Sequence, residues 1–297
     1  MSKRTLAICA ATFAVLLTAC AGSALAESSL SDPPPGANNW SCKPSAAHPY
    51  PVVLVHGLGA TMAENWSYMS PLLAGRGYCV FALTYGLNPS YPYFGGVEPV
   101  EQSAPELAAF VQQVLSATGA SKVDLVGHSE GTFMPEYWLK YLGGASQVDK
   151  YVALAPLYQG TDLAGAEQLE EAGDEFGVTG PVLSLIDDGC GSCTEFIAGS
   201  SMVKQLNADG GPEVPGVQYT TIMTDHDELV VPYTSGELPP PATDIVVQNV
   251  CPADLDEHVA LAFDPVVAQL IFNALDPSTA QPVSCTGIPP ISPPPGN

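Results

Sequence analysis

Three residue types that can jointly activate a hydroxyl follow one another along this chain. A serine lies between glycines at Gly127-His128-Ser129-Glu130-Gly131, aspartates stand at Asp225 and Asp227, and a histidine follows at His258. A serine hydroxyl is a poor nucleophile until a base removes its proton. Histidine serves as that base when a carboxylate orients its ring and stabilises the imidazolium that forms. Such a set can attack a carbonyl carbon and carry the acyl group on the serine oxygen.

The G-x-S-x-G pattern alone decides little, because in a chain of this composition it arises by chance roughly once in five. Its context carries more weight. It directly follows the apolar run Lys122-Val123-Asp124-Leu125-Val126 and opens an amphipathic stretch over 130–142. Glycine there permits the tight strand-to-helix turn that presents a strained serine above a sheet. In this arrangement acid and base follow the nucleophile, each on a loop after a late strand. That order sets aside His48, His56 and His128.

His226 stands between Asp225 and Asp227, just after a run ending at Met223, where the acid belongs. His258 follows the run 244–250 by eight residues and is expected to begin the final helix. The assignment is Ser129 as nucleophile, Asp227 as acid and His258 as base, with Asp225 the alternate acid and His226 a loop histidine. A tetrahedral intermediate also needs backbone donors. These are expected from Glu130, directly after the serine, and from Leu58 in the turn His56-Gly57-Leu58-Gly59-Ala60. A Glu130 carboxylate beside an oxyanion would repel it, so its side chain is expected to point away and only its amide to act. The chemistry calls for no cofactor, and no metal-ligand cluster is evident.

The elements that must position these residues alternate. Short β-branched runs bounded by Gly, Pro or Asn lie at 51–55, 78–84, 122–126, 150–155, 217–223 and 244–250, and helical periodicity fills 103–118, 130–142 and 258–275. This predicts an α/β fold, a mainly parallel sheet with helices on both faces. The alternation breaks over 157–214, read as an inserted cap or lid, and 286–297 reads as a Pro-rich tail.

With 297 residues, 46% hydrophobic and 13% charged, the chain can bury one large core, read as a single catalytic domain over 27–285. Its net charge of −23 would repel nucleic acid and anionic membrane, though not a neutral oil or polymer surface. Residues 1–26 carry Lys3 and Arg4, an apolar run too short to span a membrane comfortably, and Ala24-Leu25-Ala26, the pattern of a cleaved export signal. Free secretion is the expectation. The alternative is a lipoprotein anchored through Cys20, since Leu17-Thr18-Ala19-Cys20 matches a lipidation box. Six cysteines then remain, and an even count in an exported chain implies disulfides. Sequence order suggests Cys42 with Cys79, Cys190 with Cys193, and Cys251 with Cys285. Oligomeric state is not readable.

Through Pro51-Val52-Val53-Leu54-Val55-His56-Gly57, the glycine-framed serine, Asp227-Glu228-Leu229-Val230-Val231-Pro232-Tyr233 and Glu257-His258-Val259-Ala260, the chain resembles the class 2 bacterial lipases of actinobacteria. The likeness covers nearly the whole mature chain. The Asp-x-x-Val-x-Pro arrangement and the placement of Cys42 and Cys79 also resemble the fungal lipase B type, which favours Asp227 over Asp225. The resemblance implies an α/β-hydrolase fold and extracellular hydrolysis of acylglycerols or similar water-insoluble esters, a small-molecule or interfacial lipid substrate. Acyl transfer to an alcohol and polyester hydrolysis use the same triad and remain alternatives, as does a surface-binding protein that has lost catalysis.

Overall fold

The computed structural model describes residues 32–89, 92–162 and 190–285. Its six strands are β1 (Val52–Val55), β2 (Val80–Leu83), β3 (Val123–His128), β4 (Val148–Leu154), β5 (Gln218–Met223) and β6 (Thr243–Val246). They form one sheet in the order β2-β1-β3-β4-β5-β6, every pair parallel. Parallel neighbours cannot be joined by a hairpin, so the connections carry helices that cover the sheet. These are α1 (Met62–Asn65), α2 (Met69–Gly75), α3 (Val100–Thr118), α4 (Glu130–Tyr141), α5 (Ser201–Leu206), α6 (Val247–Val250) and α7 (Pro265–Leu275).

Side chains alternate across a strand, and β1 shows the consequence. Val53 and Val55 join a core with Leu107 and Val111 of α3, Phe133 and Trp138 of α4 and Val203 of α5. Val52 and Leu54 join the other face with Leu73 of α2 and Ile271 of α7. All four β1 side chains are fully buried, each worth about 1.5–3 kcal/mol of transfer free energy, which explains why a central strand reads as an unbroken apolar run.

Two expected elements differ. The helix expected over 258–275 begins at Pro265. Asp264 caps it by accepting from the Val266 and Val267 amides, while Pro265 at the first position could not sit inside an earlier helix. His258 therefore lies in the loop before α7 and does not begin it; a short 3-10 turn occupies Ala260–Ala262. The run 244–250 is strand only to Val246, after which Val247–Val250 make the helical turn α6. β-branched propensity yields there to tertiary context, because the turn brings Gln248 under the loop after β5, where its amide nitrogen donates to Thr224 Oγ1 at 2.9 Å.

The disulfides join Cys42 to Cys79, Cys190 to Cys193 and Cys251 to Cys285. Of the expected insertion over 157–214, residues 163–189 lie outside the described residues, as do the expected export signal with Cys20 and the tail 286–297. The described part is fastened to the core: Met202, Val203 and Leu206 of α5 are buried, and Lys140 Nζ of α4 donates to the carbonyls of Leu206, Ala208 and Gly211. Among the described residues, no helix is long and apolar enough to cross a membrane.

Candidate active site

β3 runs two residues further than the apolar pattern indicates and delivers Ser129 directly onto the N-terminus of α4. Ser129 has φ 55° and ψ −126°, a strained backbone for a residue with a Cβ. Neighbouring glycines make the bend sterically feasible. A Cβ at Gly127 would collide with the Gly131 carbonyl, and one at Gly131 would collide with the Val55 carbonyl of β1. Gly57 allows a third close approach, since a Cβ there would sit 3.0 Å from the Ser129 Cβ. The turn after β1 thus lies against the serine.

That turn is held from several sides. Gly57 N–H donates to Asn65 Oδ1 at 3.0 Å, Gly59 N–H to the Gly95 carbonyl at 2.8 Å, and Gly95 N–H to the Ala60 carbonyl at 3.1 Å. Beneath it, His56 Nδ1 meets the Gly57 carbonyl at 2.8 Å, while its Nε2 accepts from the Tyr85 amide at 3.2 Å. Burial brings the His56 pKa down to about 4, only partly offset by its bond to Gly57, so the ring is neutral. The Leu58 amide makes no hydrogen bond among the described residues. Leu58 and the first-turn amide of Glu130 are the donors the sequence singles out for an oxyanion.

The Glu130 side chain does not reach solvent. Its carboxyl is buried near Gly96 and Ser192, with neither oxygen hydrogen-bonded, because the Ser192 hydroxyl gives its proton to the Gly96 carbonyl at 2.6 Å. Burial pushes its pKa well above the usual carboxylate range; the nearby Ser192 hydroxyl opposes this and the Glu195 charge adds to it. Burial therefore favours the neutral form of Glu130, which weakens the repulsion expected of a carboxylate beside an oxyanion.

On the loops after β5 and β6, Asp227 and His258 meet. His258 Nδ1 lies 2.9 Å from both Asp227 oxygens, and both side chains are nearly inaccessible. Asp227 Oδ1 also accepts from the Leu229 and Val230 amides at 3.0 and 2.7 Å, which fixes the carboxylate. Asp225 is exposed and pairs at 3.6 Å with the equally exposed His226, so the geometry joins His258 to Asp227 and not to Asp225. Burial lowers the His258 pKa, but the Asp227 charge and hydrogen bond, with the Glu228 and Glu257 charges behind them, outweigh it and leave the pKa above 6.5. Among the described residues, Ser129 Oγ makes no hydrogen bond to His258. Nucleophile–base contacts in unliganded sites often tighten only around substrate.

His128, set aside as a base by chain order, joins the two halves. Its Nδ1 lies 3.0 Å from Asn65 Oδ1 and its Nε2 3.0 Å from the His258 carbonyl. Burial first, then the His258 charge, brings its pKa down to about 3. A neutral ring has one N–H for these two acceptors. No sequence signal marks Asn65, which is brought in by the Thr61–Glu64 capping box at the start of α1. A cavity of about 550 Å³ lined by Lys150, Gln218, Tyr219 and Thr243 lies at the opening ends of β4 to β6 and contains none of these groups.

Residues 49–270 match the family model described as Lipase (class 2). Two curated relatives, triacylglycerol lipases of Pseudarthrobacter phenanthrenivorans and Burkholderia plantarii, are each 38% identical over 97 residues, or 31% of this chain. The match spans 28% and 25% of those proteins, so this chain covers only about a quarter of their length. Among solved structures, Aspergillus fumigatus lipase B is similar at TM-score 0.62 and 18% identity, covering 86% of this chain and 57% of that one. The mature form of Bacillus licheniformis lipase BlEst2 is similar at TM-score 0.55 and 16% identity, covering 83% and 96%. At these identities the likeness is one of fold, the α/β-hydrolase fold. With the family match extending from the strand before the Gly57 turn to the helix after His258, the chain belongs to the class 2 lipase family.

Proposed function

We propose that the protein is an exported serine hydrolase that cleaves carboxylic esters of lipids, acylglycerols or similar water-insoluble esters, through an acyl-enzyme on Ser129. The observation that carries this reading is the buried Asp227–His258 pair on loops following β5 and β6, joined through the His258 carbonyl to the residue preceding a strained Ser129. As Ser129 Oγ attacks the ester carbonyl, His258 Nε2 takes its proton, and Asp227 stabilises the imidazolium. The carbonyl oxygen becomes an oxyanion accepting from the Leu58 and Glu130 amides. Collapse breaks the bond to the alkoxy oxygen, which leaves as alcohol with the proton from His258. Water, deprotonated by His258, then repeats the sequence on the acyl-serine and releases the acid.

In this reading, residues 1–26 are the export signal and 27–285 the catalytic domain, with 157–214 covering the site and 286–297 trailing. Three disulfides suit an oxidising compartment outside the cytosol. Ester chain length separates a lipase from a short-chain esterase, so the test is hydrolysis of p-nitrophenyl esters from C2 to C16 and of emulsified triolein. Ser129→Ala is expected to lose at least about 10⁴-fold in rate and all labelling by an active-site phosphonate. Activity surviving that change would remove Ser129 from the mechanism. Dominant transfer to a dilute added alcohol would replace hydrolysis by acyl transfer.

A further inference from the structure

A second group of acidic residues lies on the segment carrying His258. Asp254, Asp256 and Asp264 are all buried, and one carboxylate oxygen from each lies within 4.8 Å of the other two. Among the described residues, no lysine, arginine or histidine forms an ion pair with any of them. Asp254 is fully buried, and its Oδ1 accepts from the Asp256 amide at 3.0 Å. Its Oδ2 has no hydrogen-bond partner among the described residues. A carboxylate oxygen enclosed without a donor is costly, and three carboxylates gathered together also repel one another. Among the described residues no basic side chain supplies a counter-charge, so a proton or a cation from solution must offset the repulsion.

We propose that Asp254, Asp256 and Asp264 form a structural Ca²⁺ site that braces the loop bearing His258. All three donors are hard oxygens, which excludes a thiolate- or imidazole-selecting metal. Opposite oxygens on one Ca²⁺ stand roughly 4.6–5.2 Å apart, twice its usual ligand distance, and the measured span falls within that reach. Mg²⁺ holds its ligands closer, demands a near-regular octahedron and keeps several waters, so a buried set of three carboxylates suits it less. The three residues sit on differently anchored parts of the chain. Asp264 caps α7 through both oxygens, the Asp256 carbonyl accepts from Thr224 Oγ1 at 2.7 Å, and Asp254 follows Cys251 of the Cys251–Cys285 disulfide. His258 lies between Asp256 and Asp264, so an ion there holds both ends of its loop. The site does not depend on the hydrolase reading.

The test is calorimetric titration of the full chain, stripped of metal with EDTA, with CaCl₂, together with thermal denaturation in EDTA and in excess calcium. The expected result is one Ca²⁺ per chain and a melting temperature higher by roughly 5–10 °C when calcium stands a hundredfold over its dissociation constant. Asp254→Asn and Asp256→Asn should each abolish the shift, while Asp225→Asn, an exposed control, should retain it. Absence of binding heat and thermal shift in the wild type at about 10 mM calcium overturns the site, as does an unchanged response in Asp256→Asn. An equal response to MgCl₂ overturns the choice of ion. If Asp254→Asn fails to fold, the wild-type titration and Asp256→Asn still decide.

Discussion

Burial has opposite consequences on the two sides of the active site. Around Ser129, His56, His128 and Glu130 are all enclosed, and burial moves each toward its uncharged form: the histidines are held at about 4 and about 3, and the carboxyl is raised well above its usual range. Across from them His258 is just as buried, yet its pKa is raised, because Asp227, Glu228 and Glu257 supply the negative charge that an imidazolium needs. Desolvation alone silences a titratable group; desolvation beside an opposite charge preserves it and tunes it. Burial favours uncharged groups around Ser129, whereas the carboxylates beside His258 favour a positive ring.

The largest expected effect comes from breaking the charged side. Asp227→Asn keeps the shape but loses the charge and replaces one of the two oxygens facing His258 Nδ1 by an amide donor, and kcat for a p-nitrophenyl ester should fall by about 10³–10⁴-fold. A loss under tenfold would mean that another carboxylate serves. Next is the bridge between the sides. His128→Ala removes the contacts to Asn65 and the His258 carbonyl, and we expect kcat to drop about 10–100-fold with KM little changed, since only positioning is lost. A change confined to KM would contradict that role.

The pH profile sharpens the comparison. Because the His258 pKa is raised, activity should be lost as pH falls through a midpoint above 6.5, read from kcat/KM of the free enzyme. A midpoint well below 6.5 would contradict the electrostatic reading. In stability the neutral carboxyls give a distinct signature. Glu136, fully buried with Tyr219 donating to it at 3.2 Å, has a folded pKa well above 4.5. Its contribution is fully present below the unfolded value and is lost as pH rises through the folded one. Glu136→Gln should therefore flatten the fall in melting temperature as pH rises above the ordinary carboxylate range. The smallest effect is expected at Glu130→Gln. If the native carboxyl is neutral, its amide isostere should keep kcat within about threefold at pH 7. A far larger loss would show that the carboxyl acts as an acid or an anion.

Some of this was legible in the residues alone. A short, valine-rich apolar run at 51–55 bounded by Pro51 and Gly57 fits a strand buried on both faces, and a glycine-framed serine between a strand and a helix calls for a tight turn, so these follow from local sterics and composition. The Asp264-Pro265 pair was also a readable helix start, yet apolar periodicity ran through it and placed His258 on the helix rather than in the loop before it. Asn65 and Gln248 were not legible in this way. Their chemistry is generic, and their meaning comes from which backbone amides they accept from 8 and 23 residues away.

The sequence by itself determined the sheet, the elbow and the identity of the residues offered as nucleophile, acid and base, because each is written in local spacing and in the order of loops along the chain. Only the tertiary structure decided which aspartate meets His258, that the Glu130 carboxyl is enclosed, and that three aspartates gather around the His258 loop with no basic side chain of the described residues paired to them. Charge state and pairing depend on distance and dielectric between segments remote in sequence, and neither quantity exists until the chain has folded.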